Sequence, residues 1–121
     1  MINSFEDFPV YKRSLELSKE IGKICNKIRN PDFFFLKDQL RRASSSIILN
    51  LAEGAGKWSK RDKANFYRIS RGSAFETIAA LDLVQAYQLI SEEKVKKLKD
   101  KLNGITKDMH NLIISIERRK K

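Results

Sequence analysis

Cysteine and histidine are almost missing from this sequence: its 121 residues include one Cys, Cys25, and one His, His110. A single thiol allows no internal disulfide, and one thiol with one imidazole falls short of the ligand set of a structural zinc site. The expected surroundings are therefore reducing, and no metal or cofactor is implied. Long apolar runs are missing too. Nothing approaches the roughly 18 consecutive apolar residues of a membrane span, and the opening residues 1–7 show no basic stretch followed by an apolar one. The expectation is a cytoplasmic protein that does not engage a membrane.

Groups suited to catalysis are equally sparse. Between Leu102 and Met109 the only cation is Lys107, so the Arg and His pairing used by helical ribonucleases of the toxin type has no counterpart around His110. Cys25 stands beside Ile24 with no second Cys or nearby His, as a small core residue does. The carboxylates Glu53, Glu76 and Asp82 follow no known metal-ligand spacing, and neighbouring Lys and Arg side chains compete for them. The expectation is a protein that is not an enzyme.

What the chain does have is a globular balance, 41% hydrophobic and 33% charged residues, and a length that fits one domain over 1–121. It also has charge of one sign in one place. The net charge is +10. Residues 37–71 hold nine Lys and Arg against three acidic residues, and the end 116–121 holds four against one, while 72–115 balance at six each. A segregated excess makes a local positive potential that attracts polyanions, RNA or DNA first among them.

Two Pro and five Gly punctuate the chain, and they leave four long segments of helical periodicity. The first, about 8–29, places Val10, Leu17, Ile21, Ile24 and Ile28 on one face, with Pro9 in its first turn and Asn30-Pro31 after its end. The second, about 34–54, spaces Leu36, Leu40, Ala43, Ile47 and Leu51 by three or four residues until Gly54 stops it. The third, about 60–89, opens with the capping pattern Ser59-Lys60-Arg61-Asp62 and continues through Phe66, Tyr67, Ile69, Ala74, Ile78, Leu81 and Val84. The fourth, about 92–118, repeats Val95, Leu98, Leu102, Ile105, Met109, Leu112 and Ile116, a heptad seam. No alternating strand pattern stands out. The predicted fold is all-α: an antiparallel up-down-up-down four-helix bundle. Gly72-Ser73-Ala74 are expected to let a neighbouring helix backbone come close. The apolar edge of Leu112, Ile113 and Ile116 exceeds what one bundle is expected to cover and favours an oligomer.

The candidate nucleic-acid surface comprises Lys37, Arg41, Lys57, Trp58, Lys60, Arg61, Lys63, Arg68 and Arg71, with Arg118 and Arg119 from the basic end. Cations neutralise phosphate while an aromatic ring offers a base a stacking face, which suits single-stranded or looped RNA better than duplex DNA. Trp58 fits equally a plug between subunits. A second set, Arg42, Ser46, Asn50, Glu53, Ser73 and Glu76, reads as a structural polar network where the second and third helices meet. In it Arg42 is expected to pair with Glu53 or Glu76 and fix the register of stripes that would otherwise slide.

The run Gln39-Leu40-Arg41-Arg42-Ala43-Ser44-Ser45-Ser46-Ile47, continued by Asn50-Leu51-Ala52-Glu53-Gly54-Ala55-Gly56-Lys57, by Arg71-Gly72-Ser73-Ala74-Phe75-Glu76 and by the start Phe8-Pro9-Val10-Tyr11, resembles the bacterial 23S rRNA intervening-sequence proteins. The likeness covers nearly the whole chain. It departs at Lys57, where an Arg is usual, a change that keeps the charge and loses a two-pronged phosphate contact. The resemblance implies a small bundle assembling into a ring, typically a homopentamer. It also implies kinship with accessory proteins of diversity-generating retroelements, which bind a reverse transcriptase and nucleic acid. Two functions follow as expectations: a non-catalytic oligomer that binds nucleic acid, RNA before DNA, or an adaptor docking on a reverse transcriptase or another nucleic-acid enzyme.

Overall fold

The computed structural model describes residues 4–118. Four helices carry the chain: α1 (Pro9–Cys25), α2 (Phe34–Ala55), α3 (Lys60–Ala86) and α4 (Glu92–Arg118), with single 3-10 turns at Phe5–Asp7 and Pro31–Phe33. No strand occurs among the described residues. Each helix packs on the next, and α4 closes against α1 to complete a four-helix bundle. No helix among the described residues is long and apolar enough to cross a membrane.

The helix starts follow from local chemistry. Pro9 supplies the fixed φ of a first turn and has no amide to leave unpaired. Ser59 caps α3 by accepting from the Asp62 amide at 3.0 Å, and Ser91 does the same for α4 through the Lys94 amide at 3.3 Å. Glu92 and Glu93 then place negative charge in the favourable first turn of α4.

Two helices are shorter than their periodicity suggests, each for a backbone reason. Helix α1 stops at Cys25 rather than near residue 29, because the chain tightens through Lys27 N–H to Ile24 and Ile28 N–H to Cys25 bonds of 3.0 and 3.1 Å. Ile28 still reaches the core, 2% exposed, so its side chain mimics one more helical turn. Helix α3 ends at Ala86 rather than near 89, because Gln88 turns left-handed at φ 59° and the Leu89 amide folds back to the Val84 carbonyl at 3.1 Å. That is a Schellman-type ending in which glycine is the favoured residue. Gln88→Gly should therefore raise stability by about 1 kcal/mol. Urea unfolding checks this: the midpoint should rise, and a fall would mean that the glutamine side chain contributes more than its backbone costs.

The core is the set the spacing predicts along α4, with Val95, Leu98, Leu102, Ile105, Met109 and Ile116 all buried. Ile113 joins them at 5% exposed and Leu112 packs partly against them, so α4 has no surplus apolar edge. The surplus lies on α2 and α3 instead. Ile69, expected in the core, is 50% exposed.

Helices α2 and α3 are the closest pair, and glycine is the reason, though at a different residue from the one expected. Gly54 is a buried residue inside α2 and does not terminate it. A Cβ there would stand 2.9 Å from the Phe66 Cβ and 2.9 Å from two ring carbons of Tyr67. Gly72 is exposed and has open space where its Cβ would be. Side-chain links then join the two helices along their length: Gln39 Nε2 to Glu76 at 2.6 Å, the hydroxyls of Ser46 and Ser73 at 2.8 Å, Ser70 Oγ to the Ile47 carbonyl at 2.6 Å, and Lys63 Nζ to the Ala55 carbonyl at 2.8 Å. As residue numbers rise along α2, those of their partners fall along α3.

Candidate nucleic-acid interface

The loop from α2 to α3 is short because both of its ends are tied. Gly56 N–H caps α2 through the Ala52 and Glu53 carbonyls, Lys57 N–H adds a bond to the Gly54 carbonyl at 3.1 Å, and Ser59 begins α3. Between these anchors Trp58 projects into water, 99% exposed. An indole with no neighbour in its own chain buries almost nothing on folding, so it adds little to stability and is available to another molecule.

Cations gather around it at one end of the bundle. Lys57 and Lys60 flank the loop, Arg61 is exposed one residue further, and the Arg68–Glu117 ion pair draws the C-terminal end of α4 alongside. Arg118 is thereby brought to the same end. Arg119 lies outside the described residues.

The structure divides the remaining predicted cations by what they already hold. Lys57 sits 3.3 Å from Glu53 and 5.1 Å from the centre of the Phe66 ring. Lys63 is engaged on the end of α2, and Arg68 on Glu117. Arg71 is half-buried with its guanidinium 5.3 Å from the centre of the Phe75 ring, and its Nε is buried without a hydrogen-bond partner. Lys37 lies 4.3 Å from the centre of the Phe34 ring. By contrast Arg41, Arg42, Arg61 and Arg118 are exposed, and no ion pair among the described residues involves them. Arg41 lies fourteen residues before Ala55, the last residue of α2, about 21 Å of helix from the loop that carries Trp58. The segment 37–71 is thus continuous in sequence but forms two separate basic areas in space. Trp58, Lys60, Arg61 and Arg118 share one of them, and Lys37 and Arg41 stand apart towards the other end of the bundle.

The polar set is split in the same way. Ser46, Asn50 and Ser73 form one hydrogen-bonded group, with Asn50 Nδ2 donating to both the carbonyl and the hydroxyl of Ser46 at 2.9 Å. Arg42 is not part of it and pairs with neither expected glutamate. Glu53 is held by Lys57, and Glu76 accepts from Gln39, which lies one turn earlier on α2 and nearer to α3.

A second pattern emerges only once the helices are placed. Phe35, Arg42 and Leu49 follow one another at intervals of seven residues on the outer face of α2, and Ile69, Glu76 and Leu83 do so on α3. The cross-links above set Phe35 level with Leu83, Arg42 with Glu76 and Leu49 with Ile69. The four apolar members are 57%, 44%, 67% and 50% exposed, respectively for Phe35, Leu83, Leu49 and Ile69. The seven-residue interval is its signal in the sequence, masked because these residues sit beside the stronger core stripe.

His110 is exposed. Cys25 is fully buried, its Sγ 3.8 Å from the Lys37 carbonyl; burial pushes its thiol up, opposed by the charges of Arg41 and Lys37. No cluster of metal-ligating side chains exists among the described residues.

Comparison with known proteins agrees with this architecture. The family model described as 23S rRNA-intervening sequence protein matches residues 6–111, which include the first three helices whole and most of α4. Among solved structures, a protein of unknown function from the S23 ribosomal protein family of Bacteroides thetaiotaomicron VPI-5482 superposes with a TM-score of 0.80. It is 26% identical, over 86% of this chain and 97% of that one. Among curated proteins, a tryptophan–tRNA ligase of Caulobacter vibrioides is 34% identical over 70 residues, 57% of this chain. The chain spans only 20% of that enzyme's length, so the likeness is to a segment of it.

Proposed function

The chain belongs to the 23S rRNA-intervening sequence protein family, and from its surface we propose that it is a non-catalytic, cytoplasmic RNA-binding protein that works as an oligomer. The observation that carries the proposal is Trp58, wholly exposed on a tied loop with Lys60, Arg61 and Arg118 at the same end of the bundle. In this reading the cations hold backbone phosphates and the indole stacks on an unpaired base. The phosphates supply affinity with little reading of sequence, and the ring favours single-stranded or looped RNA over duplex DNA.

Charge reversal tests it. Arg61→Glu with Arg118→Glu should weaken binding of single-stranded RNA and flatten its dependence on salt by about 0.7 in the log–log slope for each phosphate left without its cation. Trp58→Ala should cost on the order of tenfold in affinity, with little change in that slope. Fluorescence anisotropy of labelled RNA reads both. Unchanged affinity in the charge-reversed variant would remove this end of the bundle as the binding surface.

The oligomer in this proposal is a ring of antiparallel up-down-up-down bundles, a homopentamer, joined through the outer face of α2 and α3. Four exposed apolar side chains on one face of a 121-residue chain are more than scattered surface residues account for. The face also carries an Arg42 without an ion partner among the described residues, level with Glu76, an arrangement that a second copy of the chain can complement.

A further inference from the structure

We propose that the groove between the C-terminal half of α1 and the N-terminal half of α4 binds a small phosphate monoester with an apolar or aromatic body. The groove measures about 530 Å³, within the range of small-molecule sites. Its floor is apolar, formed by Ile24 and Leu98, which are 4% and 5% exposed. Five lysines rise around that floor, Lys23 from α1, Lys27 from the turn after it, and Lys94, Lys97 and Lys101 from α4.

Two of these cations are neutralised within the chain. Lys101 meets both carboxylate oxygens of Glu20 at 2.8 Å, and Lys97 lies 3.5 Å from Glu93. Lys23, Lys27 and Lys94 have no ion pair among the described residues. The neighbouring Lys27, through its side chain and its charge, draws Lys94 below the ordinary lysine value. An anion bound between the two lysines would offset that repulsion. A carboxylate supplies one negative charge, whereas a phosphate monoester carries close to two at pH 7 and three acceptor oxygens, which suits three unneutralised lysines.

The groove also indicates a small ligand over a polymer. Its continuation between the same helices is balanced in charge, lined by Arg13, Lys101 and Lys107 with Glu16, Asp100 and Asp108, and Arg13 there pairs with Asp108. A nucleic-acid backbone tracking between the helices would pass from the unneutralised lysines into a stretch with no net positive charge. A single headgroup at the Lys23, Lys27 and Lys94 end avoids that stretch and lays its body on Ile24 and Leu98. This site lies at the opposite end of the bundle from Trp58, and the inference does not depend on RNA binding there.

Phenyl phosphate is the probe, with inorganic phosphate and single-stranded RNA as comparisons. Carbon-13 NMR of the lysine Cε groups should show saturable shifts at Lys27 and Lys94 with phenyl phosphate, and the Lys94 titration midpoint should rise. The affinity should exceed that for inorganic phosphate, because the ring gains contact with the apolar floor. Lys27→Gln with Lys94→Gln should weaken binding at least about tenfold, while Lys12→Gln, exposed and away from the groove, should leave it unchanged. Circular dichroism establishes that the double variant is folded; if it is not, Lys23→Gln, at the exposed rim, provides the same comparison. Equal shifts at all surface lysines, affinity that survives the substitutions, or perturbation of Lys94 by RNA but not by phenyl phosphate would each overturn the proposal.

Discussion

Arg42→Glu is expected to break the assembly into smaller species, Glu76→Arg to do the same, and the two together to restore it. The expectation rests on where these residues are and on what they lack. Arg42 has no ion partner among the described residues, and Glu76 takes only a neutral Gln39. They sit level on adjoining helices, each between two exposed apolar residues at seven-residue spacing. In a ring, the α2 side of this face on one copy meets the α3 side on the next, which sets Arg42 of one against Glu76 of the other, with the flanking apolar side chains excluding water. A single reversal then places like charges against each other, a penalty of several kcal/mol in a desolvated interface. Light scattering reads the result. Wild-type protein should give a multiple of 14.0 kDa, the single variants a lower mass at the same concentration, and the double variant the original mass. Leu49→Glu, which puts a charge on the most exposed of the apolar members, should dissociate the assembly with no partner substitution to rescue it. A wild-type mass near 14.0 kDa would remove the oligomer altogether.

Gly54→Ala is expected to destabilise the fold by about 2 kcal/mol, the cost of overpacking a filled core position. One methyl group would have to displace the Phe66 Cβ and the Tyr67 ring, each at 2.9 Å, and Tyr67 is only 2% exposed and among the largest side chains of the core. Neither neighbour is the free end of a flexible chain, so the helices must separate. Separation stretches the Ser70 link to the Ile47 carbonyl and the Lys63 link to the Ala55 carbonyl, which hold α3 to α2. The gain in helix propensity from Gly to Ala is at most about 1 kcal/mol and is smaller this near a helix end. Gly104→Ala is the matched comparison: it lies mid-helix, exposed, with open space around the added carbon, and should stabilise by up to about 1 kcal/mol. Thermal unfolding of the two variants should therefore move Tm in opposite directions. An unchanged or higher Tm for Gly54→Ala would mean that helix separation costs nothing, contrary to the packing described.

The four helices are legible in the sequence because each has a strong local signal. The unbroken three-and-four spacing along α4 marks residues that are buried, and Ser59 and Ser91 cap the helices they precede. Local signals fail where the answer depends on a neighbouring helix. Ile69 carries the same apolar side chain as its buried neighbours, and nothing in α3 alone reveals that it faces outward with Leu83. Glycine at 54 and glycine at 72 look alike in sequence; only the position of Tyr67 separates the close approach from the open one. Charge alone matches Arg42 to an acid, whereas Gln39 lies nearer to Glu76.

The candidate sites show the same limit more sharply. Counting charge along the chain marks 37–71 as basic and leaves 72–115 neutral, yet folding divides the first segment and recruits from the second. Arg41 stands about 21 Å along α2 from the helix end that leads into the Trp58 loop, although both lie in one segment. Lys94 and Lys97 belong to the balanced segment, whose acidic residues are spread over α3 and α4, and Lys23 and Lys27 come from α1 and the turn that follows it. A groove lined by five lysines therefore arises where no stretch of sequence is strongly basic.

RNA binding through phosphate contacts and the exposed Trp58 ring is a proposal that one measurement decides. Its most direct test is the affinity of protein freed of nucleic acid for labelled single-stranded RNA, structured RNA and duplex DNA across a salt series. Log affinity should fall linearly with log salt at a slope of several, with single-stranded or looped RNA bound more tightly than duplex DNA. Failure to bind any of the three at moderate salt would contradict the proposal and would leave the basic end of the bundle as a docking surface for a protein.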